Sequence, residues 1–247
     1  MASRQDRPPI WTQPEPGKRA PRLSREQIAA AALRVADGEG FAAVSMRRVA
    51  QELEAGTMSL YHYVRTKEDL VALMDDVLMA SIVVDDATLP AGWRAGLTAI
   101  AMHTRAVFVA HPWALGALRG AGPGPNAMRH FEQCLSTLKD TRCTPAQKMV
   151  VLAAVDDFVF GNVQRSRDSV FARTDCAPDV EAARQATLAF AKEQLLSGAF
   201  PHMRSLLDDA DDAAAFALLA EATSSAERFS TGLDCLLDGI AARFPMA

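Results

Sequence analysis

The run Ser45–Lys67, SMRRVAQELEAGTMSLYHYVRTK, leaves few folds open to this chain, because it spells two short helices joined by a tight turn. Ser45 stands at a natural N-cap, where its hydroxyl accepts a backbone N–H that the first helical turn leaves orphaned. Val49, Ala50 and Leu53 recur at helical spacing and give the first helix one apolar face. Thr57 offers a second N-cap shortly after Leu53. Leu60 and Val64 then turn inward as an i, i+4 pair, which spreads Met58, Ser59, Tyr61, His62 and Tyr63 over the remaining surface. Small hydroxyls at the start of a short helix, with aromatic hydroxyls along its outer side, suit the major groove of DNA. A helical hairpin with a few exposed aromatics and no DNA role is the competing reading, and the flanking residues weigh against it.

Upstream lies LSREQIAAAALRVADGEG, residues 23–40, where Ser24 and Gln27 match a capping box. Ile28, Ala31, Ala32 and Val35 form its inner stripe, and Gly38 or Gly40 supplies the stop. Downstream, Thr66 and Asp69 repeat the start signal before Leu70, Leu73, Met74, Val77 and Leu78. The spacing therefore predicts three helices plus a connecting fourth over residues 23–81, a minimal DNA-binding domain.

At this point the chain resembles the TetR family of bacterial transcriptional repressors. The resemblance rests on Gly40-Phe41, Arg47-Arg48-Val49-Ala50, Leu60-Tyr61-His62-Tyr63-Val64 and Lys67-Glu68-Asp69-Leu70 in that order. It implies that the recognition helix touches bases and phosphates through Thr57, Met58, Ser59, Tyr61, His62 and Tyr63. It further implies that Lys67 holds a phosphate and that Arg47 assists from the supporting helix. One position departs from the family pattern: Glu54 stands where a glycine usually follows the leucine ending the first helix of the pair. Either Glu54 adopts a left-handed backbone at a cost on the order of 1 kcal/mol, or Gly56 takes the bend.

The rest of the chain is consistent with such a regulator. With 49% hydrophobic residues it can bury a sizeable helical core, and it carries no run of apolar residues long enough for a membrane span. Its start, MASRQDRPPIW, has charge and prolines where a signal peptide needs an apolar stretch, so a cytoplasmic location is expected. Cys134, Cys143, Cys176 and Cys235 lie far apart without a C-x-x-C pair and read as reduced thiols. Net charge is −4, unevenly spread. Residues 1–70 carry 11 Lys/Arg against 9 Asp/Glu, net +2, and the remainder 15 against 21, net −6. Residues 1–22 hold five prolines and read as a disordered arm. Lys18, Arg19, Arg22 and Arg25 sit just before the first helix, where the arm suits phosphate or minor-groove contacts and a solvated tail fits equally well.

Pro90 and Gly92 mark a break, and residues 82–247 read as helix throughout; the resemblance implies that they form an effector-binding and dimerisation domain. Helices are expected over Trp93–Ala110, Trp113–Leu118, Ala127–Leu138, Pro145–Arg167, Asp179–Leu196, Asp211–Ala222 and Ala226–Phe244. The fold class is thus all-α, with a three-helix head joined through the fourth helix to a larger helical body. Val150–Val155 with Phe158–Phe160, and the stripe Phe229, Leu233, Leu236, Leu237, Ile240 and Phe244, mark two strongly apolar helices. The resemblance extends more loosely here, through His111-Pro112-Trp113, Gly124-Pro125-Asn126-Ala127 and Gly232-Leu233-Asp234, to the C-terminal domain type of the tetracycline repressor. It implies that these two helices pair with their mates in a homodimer; both stripes serving as intrachain core is the alternative.

No enzyme constellation is present: G-x-S-x-G, H-E-x-x-H and a Gly-Lys-Ser/Thr phosphate loop are all missing. Gly38-Glu39-Gly40-Phe41-Ala42-Ala43 follows a helix and reads as a helix stop. The histidines show no metal-ligand spacing, so neither a metal nor a cofactor is expected. The resemblance implies an effector pocket in the helical body. Met102, His103, Phe108, Trp113, His130, Phe131, Phe158, Asn162 and Gln164 are its candidate liners, bulky apolar groups with a few polar handles. Ala114–Leu118 lacks the histidine that holds magnesium in the tetracycline repressor, which points to a hydrophobic or aromatic effector without a metal. The expected function is a ligand-responsive repressor acting on a double-stranded operator. A helical binding protein or enzyme that merely carries the hairpin is the alternative, separated from it by the salt dependence of duplex binding.

Overall fold

The computed structural model describes residues 9–14, 23–117, 123–168, 178–205 and 226–246, and every regular element among them is helical. The order is α1 (Arg25–Glu39), α2 (Met46–Glu52), α3 (Thr57–Tyr61), α4 (Lys67–Ile82), α5 (Trp93–Ala110) and α6 (Ala114–Ala117). Then come α7 (Pro125–Thr137), α8 (Pro145–Asp168), α9 (Pro178–Leu196), α10 (Pro201–Ser205) and α11 (Ala226–Arg243). Short 3-10 turns cover Ile10–Thr12 and Phe41–Ala43. The helix expected over Asp211–Ala222 lies outside the described residues. No helix among the described residues is long and apolar enough to cross a membrane.

Local chemistry sets most of the helix starts. Ser24 Oγ accepts from Gln27 N at 3.1 Å while Gln27 Oε1 accepts from Ser24 N at 2.9 Å, which closes the capping box. Ser45 and Thr66 accept from Arg48 N and Asp69 N at 3.2 and 3.1 Å. Thr57 does not cap α3; Gly56 holds the N-cap position and Thr57 is the first helical residue. The turn explains the shift. Ala55 N donates to Ala50 O and Glu54 N to Gln51 O, the paired bonds of a Schellman motif, with Glu54 at φ +50° in the left-handed position. Glu54 therefore takes the bend that a glycine usually takes, at a cost of about 1 kcal/mol, and Gly56 stays extended at φ −73°.

The chain divides into two compact units, residues 1–156 with 240–247, and residues 157–239. The division does not fall near residue 81, because α4 packs on α1 and also on α5 and α7. Small residues on α1 (Ala29, Ala31, Ala32, Ala36) let it lie close to α4, whose Leu70, Met74 and Leu78 are fully buried. Each of those three contributes about 2 kcal/mol by leaving water. On α4, Asp76 reaches α7: its Oδ1 accepts from Asn126 N at 2.8 Å and its Oδ2 from Asn126 Nδ2 at 2.7 Å. A carboxylate on one helix thus caps the start of another. Gln133 of α7 accepts from Val84 N at 3.0 Å and donates to Val84 O at 2.6 Å, pinning the chain after α4. Near the other end of the chain, Pro245 O accepts from Arg142 N at 3.1 Å and Met246 is buried.

The disordered arm expected over residues 1–22 does not hold for residues 9–14, which form a 3-10 turn with Ile10 only 2% exposed. The reason is Arg25. Its Nη1 donates to Ile10 O at 3.0 Å and Gln13 O at 2.9 Å, and its Nε to Tyr63 O at 3.2 Å. One guanidinium satisfies the strap and the end of the helix pair together. Arg25 is accordingly engaged with the protein's own backbone; Lys18, Arg19 and Arg22 lie outside the described residues.

In the second unit the Phe158 ring lies 5.2 Å from that of Phe229, and Phe229, Leu233 and Leu237 are fully buried. This part of the α11 stripe is intrachain core. On α8, Val159 and Val163 are buried, while Phe160 is exposed. In the first unit the same helix buries Val151, Leu152 and Val155 and leaves Met149 and Val150 open.

Asp75, next to the cap, carries a carboxyl pushed up to about 6 by burial and then by the charge of Asp76. A raised carboxyl pKa works against the folded state: its stability is greatest below the unfolded value near 4 and falls as pH rises through 6. Asp75→Asn should remove that loss. Full conversion of the shift corresponds to about 3 kcal/mol; with solvent screening of this half-buried group, about 1 kcal/mol at pH 7 is expected. Urea midpoints at pH 5 and pH 7 test it, and a variant as pH-dependent as the parent would refute the assignment.

Candidate nucleic-acid interface and effector-binding residues

Leu60 and Val64 are both fully buried and fix which way the recognition helix faces. On its outer side Met58 is 74% and Tyr61 42% exposed, and Ser59 and His62 are exposed beside them. Thr57 and Tyr63 are half-buried at either end. The helix proper closes at Tyr61, so His62 and Tyr63 sit in the turn that follows, where Arg25 holds the Tyr63 carbonyl. The structure thus brings Thr57, Met58, Ser59, Tyr61 and His62 onto or beside one short element.

The basic residues of the supporting helix behave differently from each other. Arg48 donates to Glu39 Oε1 through Nε and Nη2 at 2.8 and 2.6 Å, and to Glu52 Oε2 at 3.1 Å. Arg34 adds a contact to Glu52 at 3.2 Å. Together the two arginines hold the Glu52 carboxyl below the usual carboxylate range, and Glu39 raises Arg48 above the ordinary arginine value. Arg47 is exposed on the same helix. Lys67, also exposed, lies with Nζ 5.6 Å from the centre of the Phe41 ring, a cation–π approach that leaves the ammonium at the surface.

The candidate effector residues fall into separate groups. Trp113 stacks its ring on Phe41 at 5.7 Å and donates from Nε1 to Asp37 Oδ1 at 2.7 Å. His111 Nδ1 meets the same oxygen at 2.7 Å. The indole needs a partner for its N–H, and the carboxylate at the end of α1 supplies one. Sequence reading missed Asp37 because its partners lie more than seventy positions away. His103 donates from Nε2 to Ser81 O at 2.8 Å, and Phe108 is buried on α5. Met102 and Phe131 are exposed at 38% and 41%. His130 lies on α7 with Nε2 3.7 Å from Cys134 Sγ. Phe158 and Asn162 line a cleft of about 590 Å³ in the second unit, together with Asp157, Arg165, Glu227 and Arg228; Gln164 is half-buried nearby on α8.

Residues 28–74 match the family described as bacterial regulatory proteins, tetR family, and residues 87–244 match the tetracyclin repressor-like C-terminal domain. The chain is 33% identical to the HTH-type transcriptional repressor DrrR1 of Streptomyces coeruleorubidus over 224 residues, covering 89% of this chain and 78% of that protein. It is 27% identical to the class E tetracycline repressor protein of Escherichia coli, over 58% of this chain and 68% of that one. Among solved structures, Streptomyces coelicolor ActR in complex with actinorhodin superposes with a TM-score of 0.65 at 25% identity, covering 91% of this chain and 99% of that one. The chain belongs to the TetR family of bacterial transcription regulators.

Proposed function

We propose that this chain is a homodimeric operator-binding repressor, with residues 23–81 as the DNA-binding head, released from DNA by a small hydrophobic or aromatic effector. The observation that carries the reading is the exposed face of α3, set by the two buried anchors Leu60 and Val64. Thr57, Met58, Ser59, Tyr61, His62 and Tyr63 supply base and phosphate contacts, and Arg47 and Lys67 neutralise flanking phosphates. The link to the effector is α4, which packs on α1 on one side and on α5 and α7 on the other. A ligand that favours one placement of α5 and α7 shifts α4, and with it the spacing of two recognition helices across a dimer. Its leverage equals its difference in affinity for the two placements. ActR, of the same fold, is named in complex with actinorhodin, which supports a small-molecule effector.

Fluorescence anisotropy on duplexes from the region flanking the gene, at several salt concentrations and beside a scrambled duplex, tests the proposal. Tight, salt-sensitive and sequence-selective binding is expected. Tyr61→Ala should weaken the selected duplex about tenfold and the scrambled one little. Arg47→Ala and Lys67→Ala should weaken both alike and flatten the salt slope. Equal binding of both duplexes by the parent, with no enriched site in a genome-wide selection, would overturn the reading.

A further inference from the structure

The turn that follows α5 touches the end of α1 directly. His111 caps α5, its N–H donating to Val107 O at 3.0 Å, and Ala114 N donates to His111 O at 2.9 Å. That tight turn carries Trp113, and the end of α1 meets the indole twice. Asp37, in the last turn of α1, accepts the indole N–H at 2.7 Å. The Phe41 ring stacks on the same indole, with centroids 5.7 Å apart and planes within 11°. Gly40 makes both contacts available to one segment, because at φ +83° it ends α1 and turns the chain between Asp37 and Phe41. His111 Nδ1 lies 2.7 Å from the Asp37 oxygen that holds Trp113, and its ring meets the indole edge-on at 6.2 Å. One carboxylate oxygen thus ties both aromatic groups of the turn.

Phe41 has a further neighbour. Lys67 Nζ lies 5.6 Å from the centre of its ring, within the range at which an aromatic face attracts an ammonium. Lys67 is exposed and is the first residue of α4. A cation at that end opposes the helix dipole, so the stability of α4 does not account for it. A free lysine side chain samples many rotamers, and it loses that freedom when its ammonium meets a phosphate. The Phe41 ring removes part of the freedom beforehand. An ammonium has three donors, and a ring on one side leaves others for a phosphate oxygen.

We infer that Phe41 and Trp113 are positioning residues for DNA binding: Trp113, held by Asp37, fixes the Phe41 ring, and the ring sets the Lys67 ammonium for a phosphate. The turn after α5 then belongs to the DNA-binding machinery and gives the C-terminal domain a second line to the operator, beside α4. This rests on the phosphate role of Lys67 proposed above and adds the groups that prepare it.

The test is a double-mutant cycle on duplex affinity, followed by fluorescence anisotropy on the full chain. A phosphate contact carries no sequence information, so a mixed-sequence duplex at low salt is the probe and no operator need be known. Lys67→Ala should weaken binding about tenfold. Phe41→Leu and Trp113→Leu should each weaken it about threefold, whereas Phe41→Tyr, which keeps the ring, should bind as the parent does. In the Lys67→Ala background Phe41→Leu and Trp113→Leu should cost nothing further, because groups that act through one side chain are not additive. A loss that came only from damage to the fold would appear in both backgrounds alike. Should Trp113→Leu fail to fold, Trp113→Phe replaces it in the cycle; it keeps a ring, gives up the N–H that Asp37 holds, and should show the same coupling to Lys67. Additive losses, a Phe41→Tyr variant as weak as Phe41→Leu, or Phe41→Leu at parental affinity would each overturn the positioning role and leave Lys67 as a phosphate ligand. Lys67→Ala at parental affinity would overturn the phosphate role itself, and the positioning role with it.

Discussion

Gly124→Ala is expected to cost about 3 kcal/mol, lowering the thermal midpoint by roughly 6–12 °C for a chain of this size. The residue has ordinary backbone angles, φ −84° and ψ 176°, so the requirement is for space and not for conformational freedom. A Cβ there would lie 2.8 Å from Asp76 Cγ and 2.9 Å from Trp11 Cζ2. Asp76 cannot swing aside cheaply. Its two oxygens hold the backbone N–H and the side-chain amide of Asn126, and moving it leaves a buried carboxylate and the start of α7 unpaired together. Urea unfolding, read as a change in midpoint at constant slope, measures the loss. Gly38→Ala is the control, since nothing lies within 4 Å of that position on α1. It should be neutral or stabilising by about 0.5 kcal/mol. A cost below about 1 kcal/mol for Gly124→Ala would mean that the α4–α7 junction yields more easily than its geometry implies.

Arg25→Ala should cost about 2–3 kcal/mol and weaken operator binding as well. The guanidinium serves the carbonyls of Ile10, Gln13 and Tyr63, and each bond contributes about 1 kcal/mol net. Without it, Ile10 loses the tie that keeps it buried, and the turn carrying Tyr63 loses its outer support. Stability and operator affinity should therefore fall together, the second by about fivefold. Arg25→Lys keeps the charge but cannot reach three carbonyls from one flat fork, so it should resemble alanine more than the parent. A lysine variant with parental stability would show that charge alone suffices. Urea midpoints and anisotropy on the selected duplex, measured on the same preparations, decide it.

The helix starts were legible because their chemistry is local. Ser24 with Gln27, Ser45, Thr66 and Pro145 mark boundaries through contacts within one turn, and the structure follows them. The family membership read from Arg47 to Leu70 is likewise shown. The placement of Thr57 as a cap went astray because the preceding Schellman turn, closed through Glu54, consumes one more residue than a hydroxyl rule can foresee. The partner of Trp113 stayed hidden for a different reason: the Asp37 carboxylate that accepts its indole N–H lies across the fold, 76 positions away. Arg25 and Asp76 read as one charge among many, since nothing in a linear pattern shows that each one's partners converge from separate segments.

The strap at residues 9–14 and the tie at Pro245 bear on how the protein could be put to use. Anyone fusing a fluorescent reporter to this regulator, to turn effector binding into a signal, would normally treat both chain ends as free handles. Here a junction placed after Pro9 removes Ile10 from its pocket and empties part of the Arg25 fork. One placed before Met246 strips a buried side chain from beside Cys143. A cargo joined upstream of Pro9 keeps the fork intact, but it hangs on the strap that shares Arg25 with the Tyr63 carbonyl. The carboxyl end, extended past Met246 by a flexible linker, is the better port.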